Sequence, residues 1–239
     1  LGPAPARRQP HQPLAAFPRK RRSMVAADTF RFLNEEHRLA AAADWNNPQW
    51  EMIWRYHLHY IDDLCAEGAD ERTDSHRALI ARWIAENPVG QGCGWDPYPA
   101  SLRIVNWVRW ALSSGELNEV ARHSLAVQAR FLASRVEWHL LGNHLLANAK
   151  ALVFGGCFFE GPEAQRWLNT GMKILAAQIA EQVLTDGGHF ERSPMYHAIV
   201  LEDLLDLIKL SRSYPGVIQE NMLGMLREAA GRMLRWAKA

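Results

Sequence analysis

The sequence predicts an all-α fold, an α/α toroid of antiparallel helical hairpins, and three observations carry that prediction. Residues recur at the helical period: Leu117, Val120, Ser124, Gln128, Phe131 and Arg135 mark one register, with apolar Ala121, Leu125 and Leu132 beside it. Stretches of this kind run for 13–23 residues between short turns, which packs successive helices as antiparallel hairpins. The polar and aromatic groups that interrupt the apolar pattern fall near helix starts and loops. In a toroid such positions share one rim, where a cleft forms. No repeat at a fixed period, of the kind that solenoids display, is present.

Taken in order, residues 1–24 hold Arg7, Arg8, Arg19, Lys20, Arg21 and Arg22, no acid and many prolines, and read as a disordered or extended basic arm. The folded domain is expected over residues 25–239. Phe30 to Ala43 reads as irregular. Asn46-Asn47-Pro48 is a helix-start signal ahead of a first helix from Gln49 to Glu67. A second runs from about Asp74 to Glu86 and closes before Asn87-Pro88. Val89 to Pro99, with Gly90, Gly92, Gly94, Pro97 and Pro99, is a loop. A third helix begins at Ala100 and a fourth is the register through Leu117 to Arg135. Four more fit Leu140–Phe154, Pro162–Leu184, Pro194–Ser213 and Gly216–Lys238, with Pro162 and Pro194 where proline favours a first turn. That makes eight helices. A brief extended excursion is expected only at Gly187 to Glu191, so strand content should be near zero.

Composition narrows the function classes. The chain is 48% hydrophobic and 22% charged, a globular balance with length for one sizeable core. Of 27 lysines and arginines, six lie in the arm, which leaves 21 against 26 acids, a net −5, on residues 25–239. The folded part is therefore no cationic trap for nucleic acid. No apolar run approaches the roughly 18 residues that span a bilayer, and Leu1 opens no signal pattern. Three cysteines without CxxC or Cys/His spacing suggest neither a disulfide framework nor a zinc cage. Ten tryptophans demand an aromatic core or an aromatic-lined cleft.

Two stretches carry the chemistry. In His139-Leu-Leu-Gly-Asn143-His144-Leu-Leu-Ala-Asn148, polar groups interrupt an apolar helix; the spacing puts His139 above Asn143 and His144 above Asn148. Such groups either satisfy one another in a core or face a site. In Asp186-Gly-Gly-His189-Phe-Glu191-Arg192-Ser193-Pro194-Met195-Tyr196-His197, a glycine turn delivers acid, imidazole and phenol to a helix start that Ser193 caps. A tyrosine and two histidines at a helix mouth suit proton transfer, although a structural turn is the competing reading.

Together, Leu140 to Phe159 and Asp186 to Leu207, supported by Trp45 to Leu64 and Trp95 to Trp110, resemble the heparinase II/III family of bacterial polysaccharide lyases, in order along the chain from Phe30 onward. The resemblance implies an incomplete α/α toroid followed by a β-sandwich domain, which this chain would lack, ending mid-helix at Ala239. It implies β-elimination on a uronic-acid-containing polysaccharide, heparan-like, alginate-like or a bacterial exopolysaccharide, with no cofactor in this domain and with periplasmic or secreted relatives. By motif match Asn143 neutralises the uronate carboxylate, Tyr196 transfers protons and His144 is an auxiliary catalytic group; a further histidine would come from the sandwich. Around them His59, Tyr98, Arg103, Asn106, His139, Glu191 and His197 are candidates for holding sugar groups or the catalytic side chains. Arg103 suits a carboxylate because a guanidinium pairs with it bidentately. One departure is His57, where relatives commonly carry asparagine.

The rival readings are a glycoside hydrolase using Asp96 and Glu191, and a non-catalytic glycan-binding or exopolysaccharide-assembly protein. A terpenoid-cyclase metal site fails, because Asp62-Asp63 has no third aspartate in DDxxD spacing, and no HExxH motif supports a metalloenzyme.

Overall fold

The computed structural model describes residues 2–17, 19–113, 115–140 and 142–238. Eight α-helices are found among them, in two compact units: Leu1–Ala4 with Ala16–Leu132, and Pro5–Ala15 with Ala133–Ala239.

The first unit opens with an antiparallel sheet of order β1-β2-β3, formed by Met24–Ala26, Thr29–Phe32 and Glu35–Arg38. This corrects the expectation of an irregular segment and near-zero strand content. Its physical basis is a tight hairpin: Leu33 and Asn34 both adopt positive φ, 53° and 65°, the backbone a two-residue hairpin turn requires. Phe30 and Phe32 then point to the same buried face.

Four helices follow, α1 Met52–Tyr60, α2 Thr73–Glu86, α3 Pro97–Ser113 and α4 Glu119–Ala133. The helix expected from Gln49 to Glu67 is cut at Ile61, whose left-handed φ of 51° ends α1. The tryptophans account for the core: Trp45, Trp54, Trp83, Trp95, Trp107 and Trp110 are all buried in this unit.

Asp63 organises the unit's polar interior. Its carboxylate accepts from the main-chain N–H groups of Ser23 and Met24 at 2.8 and 2.9 Å, from Arg72 at 2.7 Å and from His76 at 2.9 Å. Burial alone would raise its pKa, but hydrogen bonds from His76, Met24, Arg72 and Ser23 outweigh that and hold it well below the usual carboxylate range. The same bonds anchor the end of the basic segment to the helices.

The second unit contains α5 Gly142–Phe158, α6 Pro162–Gln182, α7 Pro194–Ser213 and α8 Glu220–Trp236. Pro162 and Pro194 open their helices, and Ser193 Oγ accepts from Tyr196 N, as the sequence leads one to expect. From Leu145 to Phe158 every residue of α5 is buried, so this helix is the unit's axis. Its approach to α6 is close because of glycine: a Cβ at Gly171 would stand 2.6 Å from Ala149 O, and one at Gly156 would stand 2.7 Å from Leu168 N.

Part of the expected free arm belongs to this unit too. Arg8 donates from its main chain to Phe158 O at 2.8 Å, and from its guanidinium to Cys157 O and Phe159 O, each at 3.1 Å. A cation is thereby placed on the last carbonyls of α5, where the helix dipole favours it. His11 N donates to Ser213 O at the end of α7. These hydrogen bonds replace the picture of a solvated basic run.

Asp63 makes a testable case. Its folded pKa lies below the unfolded value of about 3.9, so its contribution is full above that pH and is lost as pH falls below it. Asp63→Ala should lower the unfolding free energy at neutral pH by about 3–5 kcal/mol. In urea unfolding the gap between variant and native protein should narrow steadily below about pH 4.

Candidate active site

The two chemistry-bearing stretches meet inside the second unit. α5 begins at Gly142, which has φ +56°, and not upstream at Leu140. His139 therefore lies in an exposed turn outside the helix, and the expected stacking of His139 on Asn143 by helical spacing does not occur. Leu141, within the expected helix, lies outside the described residues. Asn143 and His144, both half-buried, occupy the first turn of α5.

The second stripe is formed as expected, and a residue the motif reading missed completes it. His144 Nδ1 lies 3.3 Å from Glu137 Oε1, Asn148 Nδ2 donates to Glu137 Oε2 at 3.1 Å, and Glu137 N donates to Asn148 Oδ1 at 2.9 Å. Glu137 is buried just ahead of the stretch that drew attention. The available signal was an acid within one turn of a histidine-rich helix start.

The glycine turn is built to hold one shape. Asp186 Oδ1 accepts from Gly188 N at 2.8 Å. Gly187 sits at φ +93°, where a Cβ would stand 2.4 Å from Arg232 O, so only glycine permits this approach to α8. The chain then pairs Val183 with His189 in an isolated bridge, which is the extended excursion expected there.

His189 connects the turn to α5. Glu191 N donates to its Nδ1 at 3.4 Å, so its Nε2 carries the proton and donates to Gln182 Oε1 at 3.1 Å. Gln182 Nε2 in turn donates to Gly142 O, the first carbonyl of α5, at 3.1 Å. Burial lowers the His189 pKa below its ordinary value, Glu191 opposes this and His197 adds to it. Gln182, fully buried at the end of α6, was the second residue missed; a polar side chain closing an amphipathic helix beside a glycine turn is its only signal. Tyr196 stands in the first turn of α7, its ring 6.3 Å from the His189 ring, and is half-buried. Glu191 is exposed, with its Oε1 3.5 Å from where a Gly142 Cβ would be.

His197 is not part of this face. It is buried, its Nε2 donates to Met233 O at 3.1 Å and its ring lies 4.6 Å from that of Trp236, so it locks α7 to α8.

Below the helix starts, Lys150 of α5 donates to Asp203 Oδ1 at 2.6 Å and also to Asp206, both on α7. Lys150 lies seven residues beyond Asn143 and Asp203 seven beyond Tyr196, which at 3.6 residues per turn returns each to nearly the same face. A buried ionic cluster thus fixes the register of the two helices that carry Asn143 and Tyr196.

The candidates in the first unit fare differently. Arg103 is fully buried: its guanidinium lies 3.8 Å over the Trp83 ring and donates to Gln128 Oε1, His59 O and Gly94 O. His59, also fully buried, accepts from Trp83 Nε1 at 3.1 Å and donates to Trp45 O at 3.0 Å. Burial first, then the Arg103 charge, pushes its pKa down to about 3, so it is a neutral core group. Asn106 is buried and donates to Tyr60 O at 3.0 Å. The polar character that singled these three out serves the core, and of the four named in this unit only Tyr98 is more than marginally accessible. Asp96, the acid of the hydrolase reading in this unit, accepts from Tyr56 Oη at 2.7 Å.

Among the described residues no group of His, Cys, Asp and Glu is arranged to hold a metal ion, and no helix is long and apolar enough to cross a membrane. The three cysteines are free.

Comparison with known proteins bears on the same segments. A model of the heparinase II/III N-terminus matches residues 95–221, from Trp95 through α7. A heparin-sulfate lyase of Bacteroides thetaiotaomicron is 35% identical over 89 residues, 37% of this chain and 12% of its own. FtsZ-localized protein C of Caulobacter vibrioides is 26% identical over 163 residues, 64% of this chain and 27% of its own. Among solved structures, the heparan sulfate lyase HepC of Pedobacter heparinus aligns with a TM-score of 0.62 at 19% identity, over 87% of this chain and 36% of that one. The chain thus spans little more than a third of that solved relative and matches about an eighth of the curated lyase.

The ionic cluster gives a measurable expectation. Lys150→Met leaves two carboxylates facing each other without their cation, and should lower stability by about 3–5 kcal/mol. Adding Asp203→Asn and Asp206→Asn should recover part of that loss in urea unfolding; no recovery would mean that the cluster is not the source of the effect.

Proposed function

The chain belongs to the heparinase II/III family, by its N-terminal domain, and from that premise we propose that it is the helical domain of a polysaccharide lyase acting on uronic-acid-containing glycans. The observation that carries the reading is that Gln182 and His189 link the first residue of α5, next to Asn143 and His144, to the start of α7, where the Tyr196 ring stands near that of His189, in one unit.

The residue types fit β-elimination. The proton on C5 of a uronate is weakly acidic; a basic side chain takes it up, for which the further histidine that the resemblance places in a sandwich domain is the candidate, and charge moves onto the carboxylate. The Asn143 amide donates a hydrogen bond to that carboxylate and stabilises the developing charge. As the C4–O bond breaks and the C4=C5 bond forms, the Tyr196 phenol delivers a proton to the leaving glycosidic oxygen. No metal or organic cofactor is needed for this step. Exposed His139 and Glu191 flank the helix starts and are available to sugar hydroxyls. Heparan-type glycans are the first substrate to try, because relatives of this chain are named for that substrate; alginate-like glycans and bacterial exopolysaccharides follow.

A second reading is a glycan-binding or assembly protein without turnover. It keeps the same site and discards the proton transfer.

The full-length natural protein, assayed on a panel of uronate polysaccharides by the ultraviolet absorbance of the unsaturated product, decides between them. Tyr196→Phe is expected to lower kcat by roughly 10²- to 10⁴-fold, and Asn143→Ala by roughly 10²- to 10³-fold. Reducing ends without absorbance would point to hydrolysis, and binding without either product would support the second reading.

A further inference from the structure

Ten tryptophans call for an aromatic core or an aromatic-lined cleft, and the core takes most of them. Seven are buried. Trp50 is half-buried with its ring stacked 4.6 Å from that of His37, and the Trp236 ring lies against His197. Trp138 is the exception, 59% exposed and the most exposed of the ten. A single exposed apolar side chain is ordinary on a protein surface, so what matters is where this one stands and how its backbone is held.

Trp138 lies in the turn directly ahead of α5. Its N donates to Val136 O at 2.9 Å, and Leu140 N closes the turn on Glu137 O at 3.1 Å. Its neighbour Glu137 is buried and bound to α5, donating from N to Asn148 Oδ1 at 2.9 Å and accepting from Asn148 Nδ2 at 3.1 Å. A largely exposed indole is thus carried on backbone that is tied to the helix bearing Asn143. The glycine turn brings a second aromatic group to the same helix start. Phe190, 37% exposed, donates from N to Gln182 O at 2.9 Å, and Gln182 Nε2 donates to Gly142 O at 3.1 Å. Each of the two chemistry-bearing stretches therefore presents an exposed ring at the first turn of α5.

A pyranose ring has a face of C–H groups and an edge of polar substituents, so a site for it pairs a flat aromatic surface with a few hydrogen-bonding groups. We propose that Trp138 is a substrate-binding residue whose indole is the stacking platform for a pyranose ring of an acidic glycan, in the subsite next to the uronate received by Asn143. The inference rests on the reading of Asn143 as the group that meets the uronate carboxylate. Exposed His139, the next residue in the turn, is the polar group at the platform's edge. Stacking recognises the ring and not its charge, which suits a folded part of net −5 that has no cationic surface to offer a polyanion. A stable protein interface covers about 800 Å² on each partner, far more than this indole and the exposed Leu140 beside it present.

The test uses the full-length protein carrying Tyr196→Phe, so that glycan is bound and not cut, titrated calorimetrically with size-defined oligosaccharides of each uronate polysaccharide. Adding Trp138→Ala should raise Kd about three- to tenfold, and Trp138→Phe should keep it within about twofold. The factor should be the same at low and high salt, because no ion pair is lost. Bound oligosaccharide should also shield from acrylamide a share of the tryptophan emission that is missing in Trp138→Phe. With Tyr196 restored, Trp138→Ala should raise KM by the same factor and leave kcat nearly unchanged, the mark of a contact made equally in ground and transition states. Kd and KM that do not move in Trp138→Ala would overturn the proposal and leave the lyase reading standing. Binding without elimination, weakened by Trp138→Ala, would end the lyase reading and keep the platform. A native protein that binds none of the oligosaccharides would overturn both. If Trp138→Ala instead turns an oligomer into a monomer in light scattering with glycan affinity unchanged, the indole belongs to a contact between copies and the proposal falls.

Discussion

A helix buried along nearly its whole length has no water to turn to, and α5 is such a helix. Every polar group on it must be met by protein, because an unpaired buried donor or acceptor forfeits about 1–3 kcal/mol and an unpaired charge far more. The second unit is arranged around meeting that demand. Glu137 answers His144 and Asn148, Asp203 and Asp206 answer Lys150, Gln182 answers the first carbonyl, and Arg8 answers the last ones. Those partners come from the N-terminal segment, the turn before α5, α6 and α7. The requirement of one helix therefore specifies where most of the unit must lie.

The same demand explains why the candidate site is where it is. Only the first turn of α5 leaves the interior, so on this helix Asn143 and His144 are the polar side chains that keep exposure, and His144 is held by Glu137. The start of α7 reaches the same corner because the buried lysine cluster fixes its register against α5 and the His189–Gln182 relay fixes its approach. A site built this way is pre-organised: little is left for substrate to order, and the cost of orientation has been met on folding.

How far the sequence disclosed this depends on whether the signal was local. The openings of α6 and α7 were legible because Pro162, Pro194 and Ser193 act within one turn of themselves. The sheet over residues 24–38 was not, because its strands are three and four residues long and its turn is Leu-Asn, without the glycine that usually marks a hairpin. Asn143, His144 and Tyr196 stood out as polar groups in apolar helices, and so did His59, Arg103 and Asn106, which fill the core of the first unit. Sequence pattern registers a polar residue at an apolar position; it does not register whether a main-chain carbonyl waits beside it. Glu137 and Gln182 were missed for the complementary reason: each lies at the edge of its element, where polar residues are ordinary, and their role arises from contacts made by neighbouring segments.

Arg103 and Asn143 show how such residues are told apart once the fold is known. Arg103 is fully buried, donating from Nε and Nη1 to an amide oxygen and two carbonyls and lying over the face of Trp83, with Nη2 left without a hydrogen-bond partner, so its guanidinium belongs to the interior of the unit. Asn143 is neutral, half-exposed and at a helix start. For binding a carboxylate, an amide at such a place suffices. A phenol in a capped first turn and an imidazole in contact with a buried carboxylate add nothing to binding that a simple donor would lack, yet both are groups that take and give protons. Their presence at the two helix starts that Gln182 and His189 link is the physical argument for turnover over binding.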